Sequence, residues 1–308
     1  MSPAPLPAGL IAAPHLPLNR SGATAFERVP ALAEHLRATG VKGVFINGTT
    51  GEGLCQSLPE RMAGAEAWAK AKGDLHAILN LGAQSQADMV ALAEHAAGLD
   101  LDGVAVVAPS FHRPRSVEDL VEMVLPVADA AGKPLWLYHI PALTHVGLDG
   151  IEVCQRLLQR CPTFAGVKFT VADLLQLQAM LEAAADGGWQ VAWGCDELML
   201  PALAMGARSF MGSTYNYAAP AYLRLMDAFE RGDHEAARRV SRQVQPLLDL
   251  LVERGPVRVG KTLVAAWGID LGPPRPPERP FTEDERDTLL ADAARLELLT
   301  DAPFAPSA

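Results

Sequence analysis

Lys168 stands in Phe164-Ala165-Gly166-Val167-Lys168-Phe169, where every neighbour is apolar or small. A charged ammonium is costly to bury in such surroundings, so burial would lower its pKa and leave a neutral, nucleophilic amine. Such an amine can attack a ketone to form an imine. A lysine at the end of a strand can instead snorkel to water, and the residue types alone leave both readings open. Tyr138 lies one strand-and-helix unit earlier, so a barrel would project it beside Lys168 from the adjacent strand. A phenol near an imine can pass protons to and from a substrate hydroxyl, with Thr50 as a relay, although a tyrosine in a strand can equally serve packing.

The run Gly48-Thr49-Thr50-Gly51-Glu52-Gly53 couples backbone-permissive residues to two hydroxyls. Consecutive N–H groups there can point at an anion, and a carboxylate would fit; a plain strand-to-helix turn is the alternative. Neither GxGxxG nor GxxxxGK[ST] occurs, so nucleotide phosphates are not implied. Gly194 is followed by Cys195-Asp196-Glu197, whose two carboxylates would bind the hydroxyls of a polyol or simply face solvent. A metal is a poorer fit to them, because no histidine is close in sequence and magnesium would want phosphate to help hold it. His139 should face the opposite side of its strand from Tyr138 and reads as structural.

Side chains scattered from residue 48 to residue 213 need a scaffold that gathers strand ends. Short apolar runs recur at Gly9–Ala13, Gly43–Asn47, His76–Leu81, Gly103–Val107, Leu135–His139, Phe164–Phe169, Gln190–Trp193 and Ser209–Met211. Between them, Ala25–Thr39, Pro59–Lys72, Gln86–Leu99, Ser116–Ala131, Asp149–Cys161 and Ala172–Ala185 carry apolar residues at helical spacing. Ser57 with Glu60 has the spacing of a capping box, and Ser116 precedes two early acids. Eight strands alternating with helices predict an α/β fold, a closed (β/α)8 TIM barrel. Further helices are predicted at Tyr222–Glu230, His234–Val252, Gly260–Trp267 and Thr282–Leu298, a C-terminal helical extension joined through the proline-rich Leu271–Pro280. The expected organisation is one domain, with residues 1–218 as barrel and 219–308 as extension, because too few residues follow the prolines to build a second core.

The net charge of −10 and the absence of any long Lys/Arg cluster argue against nucleic-acid or anionic-membrane partners and favour a small-molecule substrate. Cys55, Cys154, Cys161 and Cys195 form no CxxC and no zinc spacing, so they read as reduced thiols. The start, Met-Ser-Pro-Ala-Pro-Leu-Pro, lacks the basic and apolar regions of a signal peptide, and no segment approaches a membrane span. A cytoplasmic location is expected.

Together, Gly48-Thr49-Thr50-Gly51-Glu52, Tyr138-His139-Ile140-Pro141-Ala142-Leu143 and Val167-Lys168-Phe169-Thr170 resemble the N-acetylneuraminate lyase and dihydrodipicolinate synthase family over nearly the whole chain. Asn47–Gly53, Tyr138–Leu143, Gly194–Glu197 and Gly212-Ser213-Thr214-Tyr215-Asn216-Tyr217 bring it nearer the sialic-acid-cleaving branch. The resemblance implies reversible retro-aldol cleavage of N-acetylneuraminate to N-acetylmannosamine and pyruvate, with Lys168 forming the Schiff base and Tyr138 donating protons. It implies no metal or organic cofactor and a homotetramer. It also implies that Thr49 and Thr50 bind the pyruvate carboxylate, while Thr170, Gly194, Asp196, Glu197 and Ser213 contact the sugar chain.

Some positions depart from the family. Leu143 stands where the dihydrodipicolinate branch carries an arginine for its aldehyde's carboxylate, which discounts that substrate. Phe111 stands where many relatives place a tyrosine from a neighbouring subunit, so a third relay hydroxyl is missing, and Pro14-His15-Leu16 replaces a common Thr-Pro pair. Two other readings keep the same fold: a class I pyruvate aldolase or hydratase acting on a 2-keto-3-deoxy sugar acid, and a non-catalytic pyruvate-binding barrel.

Overall fold

The computed structural model describes residues 5–296. Eight strands, β1 (Gly9–Ala12), β2 (Gly43–Ile46), β3 (His76–Asn80), β4 (Gly103–Val107), β5 (Leu135–His139), β6 (Phe164–Phe169), β7 (Gln190–Trp193) and β8 (Ser209–Gly212), pair in parallel and in order. β8 returns to β1 and closes the barrel. The expected TIM barrel is observed. Parallel strands covered on both sides are apolar on both faces, which is why each reads as a continuous hydrophobic run. One set of side chains, including Ile11, Phe45, Ile78, Trp136 and Met211, fills the barrel. The alternate set, including Leu10, Val44, Leu79, Val104 and Phe210, packs outward under the helices. Each such large side chain removed from water contributes about 2 kcal/mol.

The helices are α1 (Val29–Ala38), α2 (Leu58–Ala71), α3 (Gln86–Ala97), α4 (Val117–Ala131), α5 (Pro141–Thr144), α6 (Gly150–Arg160), α7 (Leu174–Gly187), α8 (Met199–Ala204), α9 (Tyr215–Glu230), α10 (His234–Arg254), α11 (Pro256–Ala266) and α12 (Glu283–Ala293). Both expected N-terminal signals form. The Ser57 amide donates to Glu60 at 2.9 Å, and Ser116 and Asp119 exchange backbone-to-side-chain bonds of 3.0 and 3.1 Å. α9 begins at Tyr215 rather than Tyr222, so it runs across residue 218, the expected edge of the barrel. Its first turns are buried all round and carry Pro220, so they show no amphipathic stripe to read. The expected end of the last helix, Leu298, lies outside the described residues.

A local irregularity in β6 decides what the barrel presents. Leu135 pairs with Phe164 but Trp136 pairs with Gly166, so Ala165 is an extra residue in the ladder. Ala165 faces the interior, and strict alternation from it would turn Val167 inward and Lys168 outward. The extra residue reverses the phase: Val167 joins the outer core, while Lys168 pairs in register with the inward-facing Tyr138. Gly166 permits the close approach, since a Cβ there would lie 2.2 Å from the Gln190 carbonyl oxygen.

Candidate active site

Lys168 is 4% exposed, and its Nζ lies 4.2 Å from the centre of the Phe45 ring and 4.3 Å from that of Tyr138. Burial pulls its pKa down to about 7, while the nearby Asp196 carboxylate and Cys195 oppose the shift. At neutral pH a large fraction of the amine is therefore uncharged. Tyr138 meets Phe45 edge-on, with ring centres 5.3 Å apart. Burial pushes its phenol up to about 12, against the pull of a hydrogen bond to Thr49, so the hydroxyl keeps its proton.

The Gly48–Gly53 loop is tightly wound. Asn47 has φ 55° and ends β2, and Glu52 has φ 53°, both in the left-handed region that non-glycine residues rarely enter. The Glu52 and Gly53 amides donate back to the carbonyls of Thr49 and Gly48. Around the loop, Gln56 donates to the Gly51 carbonyl at 2.8 Å and Asn80 to that of Asn47 at 2.9 Å. Thr49 Oγ1 lies 3.3 Å from the Tyr138 hydroxyl, whereas Thr50 lines the cavity that contains Lys168. The hydroxyl in hydrogen-bond contact with Tyr138 is that of Thr49, while Thr50 and Tyr138 both bound the lysine cavity.

That cavity, about 170 Å³, is bounded by Thr50, Tyr138, Lys168, Gly194, Asp196, Glu197, Ser213 and Thr214. Six of the sequence-selected residues besides Tyr138 thus share one space. Asp196 is not a solvated acid: it is buried, and its Oδ2 accepts from the Thr214 amide at 3.1 Å and hydroxyl at 2.6 Å. Burial raises its pKa, and the Thr214 bonds and the Lys168 charge act in the other direction. The carboxylate lies against the Gly212 backbone, where an added Cβ would come within 1.7 Å of Oδ1. Glu197 is exposed at the surface of the cavity mouth, and partial desolvation raises its pKa. Thr170 stands behind Gly194, whose Cβ position is 2.0 Å from Thr170 Oγ1, and that hydroxyl is buried without a hydrogen-bond partner.

On the other side of Tyr138 an apolar chamber of about 180 Å³ is lined by Thr49, Leu54, Val107, Ile140 and Leu143. Its rim is unusually apolar for a surface. Leu54, Leu143 and the nearby Phe111 are 55%, 54% and 80% exposed. His139 faces away from Tyr138, as expected, and stacks on Phe169 at 5.6 Å with the rings 6° from parallel.

Four contributors were missed in the sequence. Phe45 beneath Lys168 follows from period-two alternation along β2. Thr214 sits inside a motif that was read for Ser213. Leu248 and Leu251, which reach the cavity from α10, leave no local signal because the contact is long-range. Among the described residues no group of three or more His, Cys, Asp or Glu is arranged to hold a metal ion, and no helix is long and apolar enough to cross a membrane.

The chain is similar in sequence and fold to several proteins over nearly their full length. N-acetylneuraminate lyase of Proteus mirabilis shares 40% identity with a TM-score of 0.90, covering 94% of this chain and 99% of its own. The sialic acid aldolase of Aliivibrio salmonicida shares 39% with a TM-score of 0.92, covering 96% and 98%. Human N-acetylneuraminate lyase is 36% identical over 300 residues, 95% of this chain and 93% of the human one. The dihydrodipicolinate synthetase family model matches residues 6–296, and the chain belongs to that family.

Proposed function

We propose that this protein is a class I aldolase that cleaves N-acetylneuraminate reversibly to N-acetylmannosamine and pyruvate through an imine on Lys168. The observation that carries the reading is the pairing of a buried lysine, its pKa lowered toward neutrality, with a protonated phenol on the adjacent strand. It is supported by the lyases named above, at 36% to 40% identity. Lys168 attacks the ketone carbon, and water leaves as the imine forms. The protonated imine draws the electron pair of the breaking carbon–carbon bond, and the aldehyde sugar departs as its hydroxyl loses a proton. Tyr138, backed by Thr49, is the group placed to handle that proton. Protonation of the resulting enamine and hydrolysis then release pyruvate and restore the amine.

Thr49 and Thr50 are assigned to the pyruvate carboxylate, and Gly194, Asp196, Glu197 and Ser213 to the polyol chain, with Thr170 shaping the wall behind Gly194. No metal or organic cofactor is required by this chemistry. We further propose a single domain, because α10 supplies Leu248 and Leu251 to the barrel cavity. A homotetramer is supported by the exposed Leu54, Phe111 and Leu143, which a second copy would cover. The cytoplasm is supported by four free cysteines, three of them buried.

Borohydride reduction in the presence of pyruvate tests the chemistry: the expected result is one adduct, mapped to Lys168 in the intact protein. Folded protein without an adduct would overturn the imine mechanism. Turnover of N-acetylneuraminate well above that of 2-keto-3-deoxy sugar acids is expected, and the reverse order would reassign the substrate. The pH dependence of trapping follows from the amine. The rate should fall as pH drops through about 7, because protonation removes the nucleophile. Asp196→Asn takes away a charge that holds the lysine pKa up, so its midpoint should move to lower pH; an unmoved midpoint would show that Asp196 does not act on Lys168.

A further inference from the structure

The loop that carries Thr49 and Thr50 is tied to the C-terminal extension by a buried ion pair that no step of the reaction uses. Glu52 and Lys261 are 6% and 2% exposed at the side chain, and Lys261 Nζ lies 2.7 Å from Glu52 Oε1. The Arg275 amide donates to the other oxygen of Glu52, and its guanidinium pairs with Glu60 at the start of α2. Lys261 also donates to the Pro273 carbonyl at 2.7 Å, so the proline-rich connector is fastened at the same point. Glu52 sits two residues after Thr50 in a left-handed conformation, which costs a non-glycine residue about 1–2 kcal/mol. Next to it, a Cβ at Gly53 would lie 2.0 Å from the Asn47 carbonyl oxygen, so the loop has one compact way to close.

A buried ion pair is a poor source of net stability, since desolvation offsets most of the attraction and an apolar pair of similar size does as well. What such a pair does supply is a fixed position for both partners. Here one partner is the backbone turn that sets Thr49 against Tyr138 and Thr50 against the lysine cavity. Resting on the aldolase reading above, we propose that Glu52 and Lys261 are positioning residues: their ion pair holds the Thr49-Thr50 loop in the geometry that binds the pyruvate carboxylate. Lys261 thereby contributes to the binding site without touching the substrate. It also accounts for a lysine and a glutamate that are buried just outside the reaction cavity.

The test compares Lys261→Met, Glu52→Gln and the double variant by borohydride trapping over a range of pyruvate concentrations, together with thermal melting. Each single variant leaves one buried partner uncompensated and should melt earlier. The double variant removes both charges and should recover most of that loss. If the pair positions the loop, the double variant still needs at least about tenfold more pyruvate for half-maximal trapping, while the pH midpoint of trapping stays that of the unmutated protein. A double variant that traps pyruvate with unchanged half-saturation would overturn the positioning role and leave the aldolase reading intact. Unmutated protein that traps no pyruvate would overturn both.

Discussion

Replacing Lys168 with alanine is expected to abolish borohydride-trapped pyruvate and to lower cleavage by at least about 10³-fold, because the covalent route has no other amine in the cavity. The protein should stay folded. Replacement by methionine sharpens the argument, since it fills the lysine's space without its charge. In the folded state the pKa of Lys168 is near 7, against 10.5 for a free lysine. A group whose pKa is depressed on folding destabilises the fold as pH falls: the penalty is absent above about 10.5, grows below it and is complete below about 7. Lys168→Met removes that penalty, so at neutral pH it should be more stable than the unmutated protein by on the order of a few kcal/mol. The difference should shrink as pH is raised toward 10. Denaturant unfolding at pH 7 and pH 10 measures it; a variant equally or less stable at pH 7 would mean that the amine is not buried in the low-dielectric setting its surroundings describe. An enzyme that carries such a cost in its core shows stability given up for a reactive group.

How far the sequence revealed this site depends on the kind of contact involved. The eight strands were legible because a parallel sheet covered on both faces needs uninterrupted apolar runs, and helices between them must show a stripe. Lys168, Tyr138 and the threonine loop were legible because reactive groups in a barrel gather at strand ends. The direction of Lys168 was not, because it depends on the extra residue at Ala165, and one residue of register inverts every side chain beyond it. The contact between Thr49 and Tyr138 was not legible either, because composition is silent on which of two adjacent hydroxyls meets the phenol. The burial of Asp196 was not legible, because its partner Thr214 and the Gly212 backbone belong to another strand end. The start of α9 and the reach of α10 into the cavity are long-range facts of packing, not of periodicity.

Tyr138→Phe is the substitution that separates imine formation from bond cleavage. The ring would remain, still edge-on to Phe45 and beneath the lysine, so the packing that desolvates Lys168 is preserved. Only the hydroxyl is lost, together with its 3.3 Å contact to Thr49, at a stability cost of about 1 kcal/mol. The amine should therefore still trap pyruvate, with its pH midpoint near that of the unmutated protein. Cleavage is different, because it needs a group that exchanges a proton with the substrate hydroxyl as the carbon–carbon bond breaks. A positioned acid or base is worth about 10²–10⁴ in rate, so kcat for N-acetylneuraminate should fall by that factor while trapping persists. Turnover within about threefold of the unmutated protein would remove Tyr138 from proton transfer and pass the role to another hydroxyl of the cavity. Loss of trapping along with turnover would assign the phenol to imine formation itself. With Phe111 exposed and bringing no hydroxyl, the proposed proton path runs through the Tyr138–Thr49 contact, and a variant that cuts it should stall after the covalent step.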